Sequence, residues 1–562
     1  MSRKVYLNKN WRFNPSFNDG FIYAPMKEGA VAQLPHVVQE LPFSYYDPAA
    51  VTSEVCYQKS FIPNEAWKDS HIYLCLERVA YSFTLYFNGE KILTHDEYNA
   101  ACKADLTGLM RFGAENLAVL KVFPEKGSVL PYPGGITGDV YLLIEDEICL
   151  KEVKVIPRIE QIHTAGKSAE EIADLRVMAN LTTTVVLSDP GTEIMDTGRL
   201  SVTQYLNGKK IFGAPLRNDT FQTQLYKAAL WDPLSPSVYV ITTELCLDGK
   251  AMDSISHRIG FRDGSDRKEV FFLNGRKLFG NAFRCPLCLP YTGLAIPERT
   301  ERERVWLIKE ELNFSAVIFD DILPSHDFLD ACDDMGLPVF LNLISSEENN
   351  ANGQEEKEVI LPPVADEYMH HPCIMSWGEK HSYLHEFSSE KICDSFLNKN
   401  AAFFTAAGAS DASGKKTGIM EILKNNMSLG KKEDDPKEHF ITKTFTDTEA
   451  GFISKTGLSV NPLSKKVLHV LLSANELSEK HSYDMTMVRL FMTDEKGEIL
   501  PDAFDAIRLE AEGAVEVYGP SLFSLNAGSG GFFIRSAGHT GEGAVTVSST
   551  ENRPIRITFK VE

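Results

Sequence analysis

From the N-terminus to about residue 148 the chain alternates apolar and polar positions with a period of two, as in SFTLYFNGEKIL and NLAVLKVF, with Asn-Gly, Gly and Pro turn signals between the runs. Alternation of this kind predicts short antiparallel strands with one buried face, arranged as a β-sandwich or jelly roll. The same period returns over 149–263, in LRVMANLTTTVVL, RLSVTQYLNGKKIF and VYVITTELCLDG, and the length of that stretch suits an immunoglobulin-like sandwich. No helix-period segment is expected to interrupt it.

After Gly264 the period changes. ERTERERVWLIKEEL places apolar residues at helical spacing with charges on the other faces, PSHDFLDACDDMG reads as a second helix, and the short apolar runs FSAVIFD, LPVFLNL and PCIMSWG lie around them. Strands alternating with helices predict parallel strands joined by crossovers, the beginning of a (β/α) barrel over 264–440. Two low-complexity stretches, SSEENNANGQEEKE and GASDASGKKTG, read as exposed loops within it. From about Lys443 strand patterns resume in KVLHVLLSAN, TMVRLFMTDEKGEIL and GAVTVSS, predicting a last sandwich over 441–562. The expected fold class is therefore multidomain and mostly β, with three sandwiches and a partial barrel.

Composition narrows the functional classes. A formal net charge of −21 disfavours nucleic acid and anionic membrane as partners. No window approaches the roughly 18 apolar residues of a spanning helix, and no apolar segment follows the charges of MSRKVYLNKNWRF, so a cytoplasmic location is expected. The ten cysteines are scattered, several within strand-like runs, as expected of reduced, buried thiols. Cys285 and Cys288 have the spacing of a zinc or redox pair, but no second pair completes four ligands, and neither metal nor cofactor is expected.

Several motifs carry a resemblance. LPH at Leu34–His36, LERVAYSFTLYFNGEKI, PGGITGDVYLL, LWDPLSPSVY, RIGFRD, FFLNGRKLFG and GPSLFSLNAGSGGFFIRS follow one another as in the glycoside hydrolase family 2 β-glycosidases, although Gly138 stands where that family usually has Arg. The resemblance covers most of the chain. It implies a jelly roll, an immunoglobulin-like sandwich, a barrel and a further sandwich, and a carbohydrate or glycoside as ligand.

The resemblance also implies where catalytic groups should stand. Retaining glycosidases need two carboxyl groups about 5–5.5 Å apart, and barrel enzymes place them at the C-terminal ends of strands. HHPCIMSWGEKHSY is similar to the family's fourth strand, with Pro372 and Trp377 in register, but His381 and Ser382 occupy the positions of the family's Asn and acid/base Glu. Ile318 stands for an Arg ending the second strand, Leu341 and Asn342 for an acidic pair ending the third, and Ala282 and Arg284 for an Asn and a His on the first. From Asp266 to about Gly430 there are roughly 165 residues, against roughly 250 for a complete barrel, so the strand that would carry the nucleophile is expected to be missing.

Glu379, Glu386 and Glu449 are the acids that could substitute in catalysis, although the reading favoured for all three is that of solvated surface acids, as most Glu are. Trp377, His381, Arg284 and Asp320 are the candidate binding residues, with Trp377 able either to stack on a sugar ring or to fill core. Two functions follow: a non-catalytic chain that binds carbohydrate or pairs with an active homologue, or a β-galactosidase-like retaining glycosidase with a rebuilt or partner-completed site. The uncovered face of a half barrel further predicts a homo-oligomer.

Overall fold

The computed structural model describes residues 2–38, 54–96, 101–123, 134–160, 162–164, 166–267, 270–278, 281–285, 289, 291–320, 323–342, 368–377, 385–388, 458–459, 466–495, 497, 499–500, 502–550 and 552–562. The described N-terminal residues form two main antiparallel sheets. One runs Arg3–Tyr6, Val140–Glu145, His71–Leu76, Cys102–Asp105 in spatial order; the other runs Ala30–Ala32, Trp11–Asn14, Val55–Phe61, Asn116–Phe123, Ser82–Phe87, Glu90–His95. Their alternating apolar positions meet in one core that includes Trp11, Tyr57, Leu74, Phe83, Phe87, Leu120 and Leu142. Hydrophobic burial of such residues supplies the driving force for the pairing. Asn88 and Gly89 close the Ser82–Phe87 hairpin with φ of 51° and 93°, the left-handed pair that a two-residue turn between twisted strands requires.

A second pair of sheets follows, with Leu150–Ile159, Arg176–Leu187 and Thr220–Ala229 in one and Lys209–Pro215, Leu200–Leu206, Tyr239–Leu247 and Lys250–Ile259 in the other. Leu181, Leu200, Ile241, Leu245 and Phe261 are in its core. Two short helices, Ala169–Ala173 and Asp189–Glu193, interrupt these strands, contrary to the uninterrupted β reading. Each has five residues, fewer than two turns, so no period could betray it. The local signal for the first was its cap: the Ser168 side chain accepts from the Glu171 N–H while the Glu171 carboxylate accepts from the Ser168 N–H.

The centre of the molecule is a parallel sheet of β1 (Asn281–Arg284), β2 (Ala316–Asp320), β3 (Val339–Asn342), β4 (Ile374–Trp377) and β5 (His385–Ser388), in spatial order β4-β3-β2-β1-β5. The first four follow the predicted runs. HEFS lacks an apolar run, which is why β5 was not legible. Helix α1 (Glu298–Trp306, continued by a wider turn over Leu307–Glu311) connects β1 to β2, and α2 (His326–Met335) connects β2 to β3. The α2 limits follow from its ends: the Ser325 hydroxyl accepts from the Phe328 N–H, and Gly336 takes φ 71° against the Pro233 backbone, where a Cβ would lie 2.8 Å from a carbonyl oxygen.

The last residues form two five-stranded sheets around Leu490, Ile507, Phe532, Val545 and Ile557. The strand Met485–Thr493 from one of these sheets lies on α1 and buries Glu303, while Glu301 and Arg304 are buried against Ser325, Cys285 and Phe328, instead of facing water as the helical pattern suggested. Thr486 Oγ1 and the Met487 N–H donate to Glu303 at 2.7 and 2.8 Å, and Arg304 donates to Glu301 at 3.2 Å. The first and last sandwiches also touch, through Tyr483 Oη to the Pro35 carbonyl at 2.9 Å and the Lys9–Glu479 ion pair at 2.8 Å. Among the described residues no helix is long and apolar enough to cross a membrane.

Candidate functional site

The register of the central sheet decides which residues share its C-terminal edge. Arg284 of β1 pairs with Ile318 of β2 and Ser388 of β5, Asp320 of β2 pairs with Asn342 of β3, and Leu341 of β3 pairs with Trp377 of β4. Neighbouring strands lie about 4.8 Å apart, so Arg284, Asp320, Asn342 and Trp377 are brought to one end of one sheet. Glu386 lies two residues before the Ser388 end of β5, paired with Ala282. Glu379, His381, Ser382, Glu449 and Cys288 lie outside the described residues.

Arg284 and Asp320 are ionisable residues of the described edge, but the positions between them are not. Ile318 and Leu341 are fully buried, and Asn342 is buried beside them. The inner strands are long enough in apolar residues to bury both faces, as parallel sheets do, and this turns positions at their ends into core. Trp377 packs against that core and also lines a cleft of about 800 Å³ with Arg262 and the strand around Val155. Cys285, which follows β1, is buried and accepts from Arg304 Nη2 at 2.8 Å; burial pushes its thiol up to about 11 even beside that guanidinium. A thiol so protonated is neither nucleophile nor ready metal ligand.

A second concavity, of about 330 Å³, lies where the first sandwich, α1, α2 and the last sandwich meet. Arg78, Asp139, Arg299, Asp327 and His481 line it. His481 and Asp139 are 3.3 Å apart, and that bond raises the His481 pKa, while burial pushes Asp327 up to about 7. A polar cleft with charges of both signs can hold a hydroxyl-rich ligand by paired hydrogen bonds.

The residues that could hold a metal are ones sequence reasoning missed. His326, His370 and His371 bring one ring nitrogen each within 4.8 Å of one another, at the rim of the larger cleft. Burial and the neighbouring His371 push His326 down to about 3 and His370 down to about 2, so both rings are neutral at pH 7. The pair HH at 370–371 was visible in the sequence; its partner comes from α2, 45 residues before His371.

Comparisons with known proteins agree on the family. The model of the glycosyl hydrolases family 2 matches residues 158–262. The β-galactosidase of Thermoanaerobacterium thermosulfurigenes is 26% identical over 396 residues, 67% of this chain and 54% of that protein. The putative β-glucuronidase of Formosa agariphila is 23% identical over 418 residues, 70% of this chain and 48% of that protein. The chain thus spans about half the length of these relatives. A glycosyl hydrolase family 2 member from Bacteroides cellulosilyticus superposes with a TM-score of 0.69 at 15% identity, covering 99% of this chain and all of the other. A β-glucuronidase of glycoside hydrolase family 2 gives 0.68 at 13%, covering 100% and 81%. At such identities the superpositions speak for fold alone.

Proposed function

We propose, on the premise that this chain belongs to family 2 of the glycosyl hydrolases, that it serves carbohydrate metabolism as a catalytically inactive carbohydrate-binding member, alone or beside an active homologue. The observation that carries the reading is the burial of Ile318, Leu341 and Asn342 where a glycosidase of this family would present Arg and a pair of acids. Without a carboxylic acid to protonate the leaving oxygen and a carboxylate to attack the anomeric carbon, the retaining route has no first step.

The finer architecture belongs to the same proposal. The N-terminal sandwich is read as a jelly roll over 1–148, the next as immunoglobulin-like over 149–263, and the central sheet as a truncated barrel over 264–440, followed by the sandwich of 441–562. In a closed barrel the free edge of the first strand is taken by the eighth; here β5, the fifth described strand in chain order, pairs there with β1, which supports truncation. The proposed setting is cytoplasmic, and a second subunit is the proposed cover for the remaining strand edges.

A β-galactosidase-like hydrolase with a rebuilt site is the second reading, favoured by one observation: Glu386 lies on β5, in register with Ala282 of β1. Calorimetric titration of the full chain with galactose, glucuronic acid and mannose, run beside hydrolysis assays, separates the two. Saturable binding of a sugar without turnover supports the first reading; turnover abolished by Glu386→Gln replaces it with the second.

A further inference from the structure

The histidines at the junction of the second sandwich and the central sheet make an arrangement that the glycosidase reading does not use. His326 opens helix α2, His370 and His371 occupy the segment leading into β4, and His257 comes from the strand Lys250–Ile259 of the sandwich. The His326 Nδ1 and His371 Nε2 atoms are 3.1 Å apart, and the His370 ring centroid lies 4.4 Å from that of His371. Two imidazole nitrogens bound to one tetrahedral cation at about 2.0–2.1 Å stand about 3.3 Å apart, so the first pair already has the separation of ligands on a common ion.

The outer partners are also in place. His371 Nδ1 is 2.7 Å from Asp333 Oδ2, and the other Asp333 oxygen accepts from the Cys373 N–H at 2.9 Å. Asp333 is fully buried, and its own carbonyl accepts from Trp231 Nε1 at 2.8 Å. The carboxylate therefore holds the His371 proton on Nδ1 and leaves the Nε2 lone pair aimed at His326. A carboxylate, a histidine and then a cation is the order in which metal sites fix the tautomer of a ligand. Asp330 and Asp334 stand near the rings as well, paired with Arg258 and Arg302.

The frame around the rings is rigid on one side and open on the other. A Cβ on Gly260 would lie 2.6 Å from Pro372, so the sandwich strand presses directly on the segment that carries His370 and His371. The cleft of about 800 Å³ gives an ion a path to the rings. His257 lines that cleft, with a buried Nδ1 that has no hydrogen-bond partner and a ring centroid 5.9 Å from that of His370.

We propose that His326, His370 and His371 bind one divalent transition-metal cation of the zinc class, with Asp333 orienting His371 and His257 available at the fourth position. Three imidazole ligands select Zn²⁺, Ni²⁺ or Cu²⁺ over Mg²⁺ or Ca²⁺, which demand oxygen ligands. On binding, His326 gives up the Nδ1 proton that bridges it to His371 and carries its proton on Nε2 instead, so no net charge is lost from the ring. The ion would fasten α2 and the segment before β4 to each other.

The test is titration of the metal-stripped full chain with Zn²⁺ by calorimetry, and with Co²⁺ by visible absorption. One Zn²⁺ per chain, Co²⁺ bands of low-coordinate nitrogen ligation and a Zn²⁺-dependent rise in melting temperature are expected. His370→Asn and His326→Asn should each abolish the cobalt bands, and Asp333→Asn should weaken Zn²⁺ by about 10- to 100-fold. Because Asp333 is buried, His370→Asn, at a half-buried position, is the decisive variant should the other fail to fold. Absence of Zn²⁺ heat, or Zn²⁺ and Co²⁺ binding unchanged in both histidine variants, overturns the proposal.

Discussion

A carboxyl group taken out of water without a full set of partners keeps its proton, and Asp327 in the junction cleft is such a group. Burial is the largest cause of its rise to about 7, opposed by Arg78 and assisted by Glu298 and Asp139. In the unfolded chain an Asp titrates near 3.9. Between those values the folded chain binds a proton that the unfolded chain does not, so this group makes stability fall as pH rises from about 4 to about 7. Asp327→Asn removes that titration. Melting temperatures measured across the window should show the variant gaining on the parent chain as pH rises; a difference independent of pH would contradict the assignment. Glu303, pushed up to about 8 by its own burial, keeps its share of the slope in both proteins.

Single residues also decide how much was legible beforehand. The Asn-Gly turn expected in the N-terminal stretch falls at 88–89, where both residues take positive φ, as they do in the Asn-Gly and Asp-Gly pairs at 207–208, 248–249 and 274–275. These signals are local, and chemistry two residues long suffices to carry them. The histidine cluster was not legible, because nothing in either sequence segment states that α2 and the approach to β4 lie side by side. The edge positions Ile318 and Leu341 were legible as departures from a resemblance, whereas their burial needed the sheet.

At the level of elements, α1 and α2 were found because their apolar positions recur every three to four residues and, for α2, because Ser325 and Gly336 bracket the run. What α1 packs against was not found. Its charged face reads as solvated, but the strand Met485–Thr493, more than 180 residues later, covers Glu303, and Ser325, Cys285 and Phe328 meet Glu301 and Arg304. The clearest energetic consequence is the Arg489–Glu311 pair, with bonds of 2.5 and 2.7 Å and side chains only 5% and 13% exposed. Removing one partner from a buried pair strands the other charge, so Arg489→Ala should destabilise by about 3–5 kcal/mol in urea unfolding. Arg489→Met combined with Glu311→Leu should recover most of that loss. A cost below about 1 kcal/mol for Arg489→Ala would mean that the pair is effectively in water.

On the scale of the whole molecule, four packed units are held by polar contacts that cross long stretches of chain. Arg299 grips Asp484 through bonds of 2.9 and 3.0 Å, and Arg258 and Arg302 both reach Asp334. The described strand ends carry Arg284, Asp320, Asn342 and Trp377, with Ile318 and Leu341 fully buried among them. On the proposed reading, a glycosidase-like framework persists here without glycosidase chemistry. Hydrolysis tests it most directly, provided that two substrates are used. An activated aryl β-galactoside needs little protonation of its leaving group and reports on a surviving nucleophile; lactose needs both carboxyl groups. Background rates on both substrates, for a chain shown to be folded, are the predicted result. Turnover of either one that exceeds background by about 10²-fold or more, and disappears in Glu386→Gln, would contradict the account.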